Sequence, residues 1–203
     1  MNREMRAEVE KVQTRTGSRG KTYDMAYIGL FVGLMAICSW ISIPTAIPFT
    51  LQTFAIFLAV TILGGKRGTL AIVVYLLLGM VGVPIFAGFA AGPRVLFGTT
   101  GGYLIGFIFS ALLMWLMERL LGRKLWVQML SMLLGMVTYY IVGTIWFMVV
   151  YGSTNGPVSL LTALGWCVFP FVIPDLVKAV LALGFGSALK KPLAEIMETR
   201  GKR

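Results

Sequence analysis

The 203-residue sequence contains no histidine and only two cysteines, Cys38 and Cys167. The lack of histidine excludes a Ser-His-Asp triad, a histidine proton relay and a His-ligated metal site. Both cysteines lie in long apolar segments, where a thiol is ordinarily a small packing residue rather than a metal ligand or disulfide partner. These segments also contain no pair of acidic residues for acid-base chemistry. The sequence therefore predicts no enzyme, no metal site and no cofactor.

Charge is scarce as well, because 58% of the residues are hydrophobic and only 13% are charged. Four long runs carry no charge at all: 41 residues over 25–65, 26 over 68–93, 23 over 95–117 and 50 over 125–174. A hydrocarbon core about 30 Å thick is crossed by roughly 20 apolar residues in a helix, so each run holds one or two spans. The runs lack the alternation of barrel strands. An all-α integral membrane protein is predicted.

Turn residues divide the two longest runs, at 44–48 and at 151–157. The sequence then predicts six membrane-spanning helices, over residues 25–43, 49–64, 69–86, 101–121, 125–150 and 163–189. The expected organisation is an N-terminal tail (1–22), a six-helix membrane domain (23–190) and a C-terminal tail (191–203). The N-terminal tail has no apolar h-region, so it is not expected to be a signal peptide.

The basic residues predict the orientation. Of 18 lysines and arginines, 16 lie on one side of the six-span arrangement: six before Tyr23, two between spans 2 and 3, three between spans 4 and 5, and five after span 6. Basic loops stay in the cytoplasm, so both termini are predicted to be cytoplasmic in a multi-pass protein of the cell membrane, surrounded by lipids. The net charge of +10 is scattered over these loops and tails, and no nucleic-acid partner is predicted.

Three ionisable residues lie away from that side: Arg94, Asp175 and Lys178. Such charges cost about 2.5–3.5 kcal/mol each on insertion scales and usually mark function. Asp175 and Lys178 share a helix face through their i,i+3 spacing. They form either a structural ion pair or a clamp for a neutral group with adjacent donors and an acceptor, such as a urea.

Arg94 lies in a glycine-rich segment over residues 86–103. Its guanidinium is well shaped for a carboxylate, although an interfacial arginine reaching the headgroups is the alternative. Together the three charges suit a ligand with an acid at one end and a urea-like head at the other. Gln52, in an apolar helix, either bonds to a neighbouring helix or lines the pocket.

A strip of small residues marks the first span. Gly29 and Gly33 are spaced by four residues, with Ala26 one turn before them. Such a strip lets another helix approach closely, either inside the protein or from a partner.

Five segments of the chain resemble one family. They read PFTLQTF (48–54), GGKRG (64–68), VPIFAGF (83–89), GTTGGYLIGF (98–107) and PDLVKA (174–179). In order and spacing they look like the BioY family, the biotin-specific S components of energy-coupling factor (ECF) transporters. The resemblance covers about residues 25–189. Two departures are Thr99, where the family commonly has proline, and Ala90-Ala91, where a second glycine is common.

The resemblance implies six helices around an outward-facing pocket that is capped by loops and binds biotin. It implies Asp175 and Lys178 at the ureido ring and Arg94 at the valerate carboxylate. Gln52, Tyr103 and Phe89 are further candidate ligand-binding residues.

The implied function is high-affinity biotin uptake with separate partners. These are a transmembrane coupling protein and two cytosolic ATPase subunits, whose ATP hydrolysis makes the S component topple and release biotin inside. The family's docking surface would correspond to the strip of Ala26, Gly29 and Gly33.

Alternatives remain open at this point. The chain is otherwise an S component for another vitamin, a carrier that works without ATPases, or a membrane scaffold whose Asp175–Lys178 pair is structural. A scaffold would bind no small molecule and would tolerate a joint apolar replacement of the pair.

Overall fold

The computed structural model describes the backbone of residues 3–44 and 47–201, and the side chains of 22–44 and 47–189. Within those ranges the chain forms eight α-helices and one short β-hairpin. The helices are α1 (Arg3–Trp40), α2 (Gln52–Leu63), α3 (Gly65–Val81), α4 (Pro93–Phe97), α5 (Gly101–Leu121), α6 (Leu125–Asn155), α7 (Leu160–Cys167) and α8 (Phe169–Gly201). The antiparallel hairpin pairs β1 (Ser42–Ile43) with β2 (Phe49–Thr50).

Four segments of the described chain are long and apolar enough to cross a membrane, over residues 22–40, 101–121, 125–155 and 169–189. Helix α2 has 12 residues, and α3 has 17. At 1.5 Å per residue, α2 is about 18 Å long and does not cross a 30 Å core alone. The all-helical membrane class is thus supported, and helices occupy all six predicted regions, but only four of them have the length and hydropathy of a span.

Several helices begin or end at residues other than those predicted, and these differences lie at turns of the chain. Span 4 is found as predicted, at 101–121. Spans 1 and 2 are shortened because Ser42–Ile43 and Phe49–Thr50 form the two strands of the hairpin. Span 3 begins earlier, since α3 follows α2 directly after Gly64, whose φ of +83° favours glycine.

The last predicted span is divided into α7 and α8 at Val168, whereas α8 continues through Pro174. Helices α1 and α8 also extend into the two predicted tails. The side chains before Thr22 and after Leu189, which include most of the counted basic residues, lie outside the described residues.

Helix α2 lies at the centre of the bundle. It packs against α1, α3, α5 and α8, and ten of its twelve residues are buried. Its short length therefore matches a helix that is covered by protein rather than by lipid. The outward surfaces of the longer helices carry large exposed apolar side chains, such as Leu116, Ile145, Val149 and Ile173. Such a surface is typical of a protein that lies in lipid.

The two ends of the bundle differ in character. At the end that carries Lys66, Arg67 and Arg123, which we call the basic end, the Gly65 N–H donates to Oε2 of Glu118 at 2.6 Å. Oε1 of Glu118 accepts from Nε of Arg123, also at 2.6 Å. The hairpin, the segment over 82–100 and the connection from α6 to α7 lie at the opposite end, where the predicted ligand-binding residues are found.

Candidate functional site

A cavity of about 530 Å³ lies among these connections and the adjoining helix ends. This volume is within the range of small-molecule sites, about 300–1,000 Å³. Five of the six predicted ligand-binding residues line it: Gln52, Arg94, Tyr103, Asp175 and Lys178. The structure thus brings together residues that are up to 126 positions apart in the sequence (52 and 178).

Asp175 is buried in the wall of this cavity, with 3% of its surface exposed. Its Oδ1 accepts from Lys178 Nζ at 2.8 Å and from Thr53 Oγ1 at 3.0 Å. Its Oδ2 accepts from the hydroxyls of Tyr139 at 2.6 Å and Tyr140 at 2.8 Å. Four donors thus hold one carboxylate in a single orientation.

Lys178 links α8 to the hairpin. Besides bonding to Asp175, its ammonium donates to the backbone carbonyl of Thr50 at 2.6 Å and lies 4.2 Å from the ring centroid of Phe49. An ammonium has three protons, and these hydrogen bonds use two of them. The buried charge is therefore well compensated, and a third donor remains for a ligand.

Gln52 is on the first turn of α2 with 4% of its surface exposed. Its Nε2 is buried and has no hydrogen-bond partner among the described residues. Leaving such a donor unpaired costs about 1–3 kcal/mol. Because Gln52 also lines the cavity, a ligand that accepts from this amide would remove the cost.

Tyr103 reaches the cavity from α5, and its hydroxyl is 3.1 Å from Thr144 Oγ1 on α6. Two glycines set this part of the wall. Gly143 leaves the space that the Tyr103 ring fills, and a Cβ on Gly106 would approach the Tyr139 Cα to 3.0 Å. The close approach of α5 and α6 therefore positions both tyrosines.

Arg94 lies on α4 and is exposed. Within residues 22–44 and 47–189, no hydrogen bond, ion pair or ring contact involves its guanidinium. A cation that lines a cavity without a partner is suited to bind an anion.

The structure places Phe89 outside the cavity lining, with 63% of its surface exposed. Its ring stacks on Trp40 at a centroid distance of 5.0 Å, and Trp40 Nε1 donates to the Pro84 carbonyl at 3.0 Å. Phe89 adopts a φ of +59°, which is unusual for a residue with a side chain. The stacking and the hydrogen bond connect the segment over 82–100 to the end of α1.

Three polar residues that complete the site were not predicted from the sequence: Thr53, Tyr139 and Tyr140. All three donate to Asp175 and line the cavity. The sequence did indicate a polar site here. Tyr139 and Tyr140 are adjacent within an uncharged run of 50 residues, and each hydroxyl requires a hydrogen-bond partner in such an apolar segment.

The small-residue strip of α1 does not pack inside the described structure. A Cβ on Gly29 or Gly33 would meet no atom within 4 Å, and Ala26 is exposed on the same side. Of the two interpretations that the sequence left open, close internal packing is therefore not observed.

Comparison with known proteins gives the family. The model of the BioY family matches residues 6–195, nearly the whole chain. This chain belongs to the BioY family. Its curated relatives in the family include a biotin transporter BioY of Thermotoga maritima, 39% identical over 80% of this chain and 93% of the relative. Another is the biotin transporter BioY2 of Lactococcus lactis, 35% identical over 86% of this chain and 93% of the relative.

A solved structure has the same fold. It is described as the S-component for biotin from an ECF-type ABC transporter. It superposes with a TM-score of 0.76 at 27% identity, and the match covers 85% of this chain and 93% of the other.

Proposed function

We propose that this protein captures biotin for uptake across the cell membrane, as the substrate-binding S component of an ECF-type ABC transporter. The observation that carries the proposal is one cavity lined by the Asp175–Lys178 pair and by Arg94, in a chain of the BioY family. Biotin has a cyclic urea at one end, a carboxylate at the other and an apolar chain between them. The urea matches the Asp175–Lys178 pair, and the carboxylate matches Arg94.

The roles follow from the surroundings of each residue. Asp175 and Lys178, 3% and 5% exposed, form the end of the site that receives the uncharged ureido ring. Arg94, exposed and without a described partner, binds the valerate carboxylate. Gln52 supplies its unpaired amide, while Tyr103 and Phe107 line the wall against the apolar part.

The partners are a transmembrane coupling protein and two cytosolic ATPase subunits. Hydrolysis of ATP takes place in those subunits, and this chain is not an enzyme. The strip of Ala26, Gly29 and Gly33 is the docking surface on α1, which its open surroundings support. The protein has six membrane segments with both termini in the cytoplasm, in agreement with the placement of 16 of 18 basic residues.

Biotin binding to purified protein tests the proposal directly. Isothermal titration calorimetry is performed in detergent with biotin, riboflavin and thiamine, on the wild type and on Asp175→Asn. We expect the wild type to bind biotin alone and the variant to bind it far more weakly. Melting curves of both proteins identify any unfolding of the variant. An absence of biotin binding by the folded wild type would reject the assignment, and equal affinities would remove Asp175 from the site.

Uptake of labelled biotin tests the partnership. Cells that express this chain with the coupling protein and ATPases should accumulate biotin, and those without the ATPases should bind it without accumulation. Equal accumulation in both would indicate a stand-alone carrier. Reporter fusions at each terminus test whether both ends are cytoplasmic.

A further inference from the structure

A second concave surface, which we call the aromatic groove, lies between the hairpin, the last turns of α6 and the junction of α7 with α8. Its volume is about 650 Å³. None of its seven lining residues is charged, and four of them are aromatic: Phe49, Tyr151, Trp166 and Phe171. Only Phe171 also lines the ligand cavity. The groove is therefore a separate site on the other side of that wall.

The break between α7 and α8 shapes the groove. Pro170 has no N–H and cannot donate to the Trp166 carbonyl, so α7 does not continue as a regular helix into α8. Gly165 lies near the end of α7, and a Cβ on it would meet no atom within 4 Å. The break and the lack of a side chain at Gly165 together leave a concave surface.

Packing fixes the walls of the groove. The ring of Phe49 stacks on that of Phe171 at a centroid distance of 5.8 Å. The Tyr151 ring lies 5.9 Å from Trp166 and 5.1 Å from Phe147, which is 1% exposed. Aromatic pairs at such distances hold one another in defined orientations. The groove is thus a preformed surface for an apolar group.

The surroundings of the groove belong to the lipid-facing surface. Leu161 on α7 and Ile173 and Val177 on α8 are 72%, 73% and 53% exposed. Within the groove itself, Ile43 and Trp166 are 61% and 45% exposed, so it opens toward that surface. A large exposed apolar surface on a membrane protein is covered by lipid.

Two polar atoms of the groove residues are available to a lipid. In the part of the chain whose side chains are described, no hydrogen bond involves the Tyr151 hydroxyl or the Trp166 indole N–H. Tyrosine and tryptophan with an apolar ring and a polar tip are typical of the membrane–water interface. The ester carbonyls and phosphate oxygens of phospholipids are acceptors at that level. The groove therefore combines apolar walls with two donors.

We propose that the aromatic groove binds one acyl chain of a phospholipid, with Tyr151 and Trp166 donating to its ester or phosphate oxygens. Lipid tails are as apolar as the groove, so the hydrophobic effect does not favour the groove over the bulk bilayer. The preference comes from packing against fixed rings and from the two hydrogen bonds. In the proposed orientation the lipid belongs to the outer leaflet, and Phe171 separates its chain from the ligand cavity.

Native mass spectrometry tests whether one lipid is held. Purified protein is released from detergent micelles that contain phosphatidylglycerol, as the wild type and as Gly165→Leu, whose side chain fills the groove. The control is Gly184→Leu, which adds the same side chain at an open, exposed position of α8. We expect the wild type and the control to retain one phosphatidylglycerol and Gly165→Leu to lose it, with melting curves showing that all three are folded. No retained lipid on the wild type, or equal retention by both leucine variants, would overturn the proposal.

A second variant tests the two donors without filling the groove. Tyr151→Phe combined with Trp166→Phe keeps aromatic side chains and removes the hydroxyl and the indole N–H. It should retain less phosphatidylglycerol than the wild type, whereas Trp126→Phe, at an exposed residue at the start of α6, should retain the same amount. Unchanged retention by the double variant would contradict the two hydrogen bonds.

Photochemical labelling identifies the occupant. A phosphatidylglycerol with a diazirine in one acyl chain should label the segment over 151–171 more strongly than the exposed apolar surface of α5 around Leu116. Equal labelling of both surfaces would mean ordinary bulk lipid and would reject the site. A dimer of the wild type that disappears in Gly165→Leu would instead assign the groove to a second copy of the chain. None of these measurements uses biotin, so they are independent of the proposed function.

Discussion

The ammonium of Lys178 donates at 2.6 Å to the backbone carbonyl of Thr50, so that a side chain of α8 holds the last residue of β2 beside the cavity. The same ammonium is 2.8 Å from Asp175. One residue therefore belongs both to the proposed head-group site and to the attachment of the hairpin between α1 and α2.

Replacing Lys178 should separate stability from binding. Lys178→Met leaves a buried carboxylate without its cation, which costs about 3–5 kcal/mol, and it frees the Thr50 carbonyl. We expect a lower melting temperature, faster hydrogen exchange over residues 42–50 and no measurable biotin binding.

The double variant Asp175→Asn with Lys178→Met separates the two roles. It removes both charges together and should recover most of the lost melting temperature. It should still fail to bind biotin in calorimetry. A double variant that keeps biotin affinity would support a purely structural ion pair.

Arg94 should contribute through the ligand's carboxylate alone. Arg94→Gln removes the cation but keeps a polar side chain, so the affinity for biotin should fall, while that for uncharged biotin amide should remain at its wild-type value. A bidentate charge-assisted contact is worth about 1.5–3 kcal/mol, or roughly 10- to 150-fold in affinity.

Arg119→Gln is the matched control for this change. Arg119 lies at the basic end, 5.8 Å over the ring of Trp115, and its replacement should leave both affinities unchanged. If Arg94→Gln weakened biotin and its amide equally, Arg94 would not be the residue that binds the carboxylate.

Gly143 should be needed because Tyr103 fills the space beside it. A methyl group at this position would overlap the Tyr103 ring, so Gly143→Ala should displace the ring, break its contact with Thr144 and lower biotin affinity. Overpacking costs about 1–3 kcal/mol, which corresponds to roughly 5- to 150-fold in affinity when it falls on the site.

The control for this substitution is Gly184→Ala on α8, where no atom lies within 4 Å of the added methyl. It should leave affinity unchanged and raise the melting temperature slightly, because alanine favours a helix by about 1 kcal/mol over glycine. Equal affinity losses in both variants would contradict a specific role of the Tyr103 position.

Glu118 should act on stability without affecting the ligand. Glu118→Gln loses the partly exposed pair with Arg123, worth about 0–1 kcal/mol, and keeps an acceptor for the Gly65 N–H. Glu118→Ala also leaves that N–H without its partner, at a cost of about 1–3 kcal/mol. The melting temperature should decrease in the order wild type, Glu118→Gln, Glu118→Ala, and all three proteins should bind biotin with the same affinity. A reversed order would contradict the role of the N–H.

The sequence predicted the class and the charged part of the site because both depend on composition. Uncharged runs define helices in a membrane, and Arg94, Asp175 and Lys178 were conspicuous as charges out of place. The short α2 was not predictable from hydropathy, since a helix covered by protein and a helix covered by lipid are equally apolar. Its length depends on the hairpin, which forms through tertiary contacts such as Lys178 to Thr50.

The polar network around Asp175 shows a second limit. Tyr139, Tyr140 and Thr53 lie on two other helices, and their sequence positions do not show which faces meet α8. Phe89 shows the opposite case. It lies in a segment that resembles the family and was a candidate ligand-binding residue, but its ring lies on the outer side of its loop, stacked on Trp40.

The strip on α1 provides a prediction that separates uptake from binding. Gly29→Leu with Gly33→Leu adds bulk where no atom lies within 4 Å, so fold and biotin affinity should be preserved. If the coupling protein docks on this strip, the variant should lose co-purification with that protein and ATP-dependent biotin uptake. Gly184→Leu adds one such side chain at another open, exposed position and should keep both co-purification and uptake. Normal uptake by the α1 variant would place the docking surface elsewhere, whereas loss of biotin binding would show that α1 supports the cavity itself.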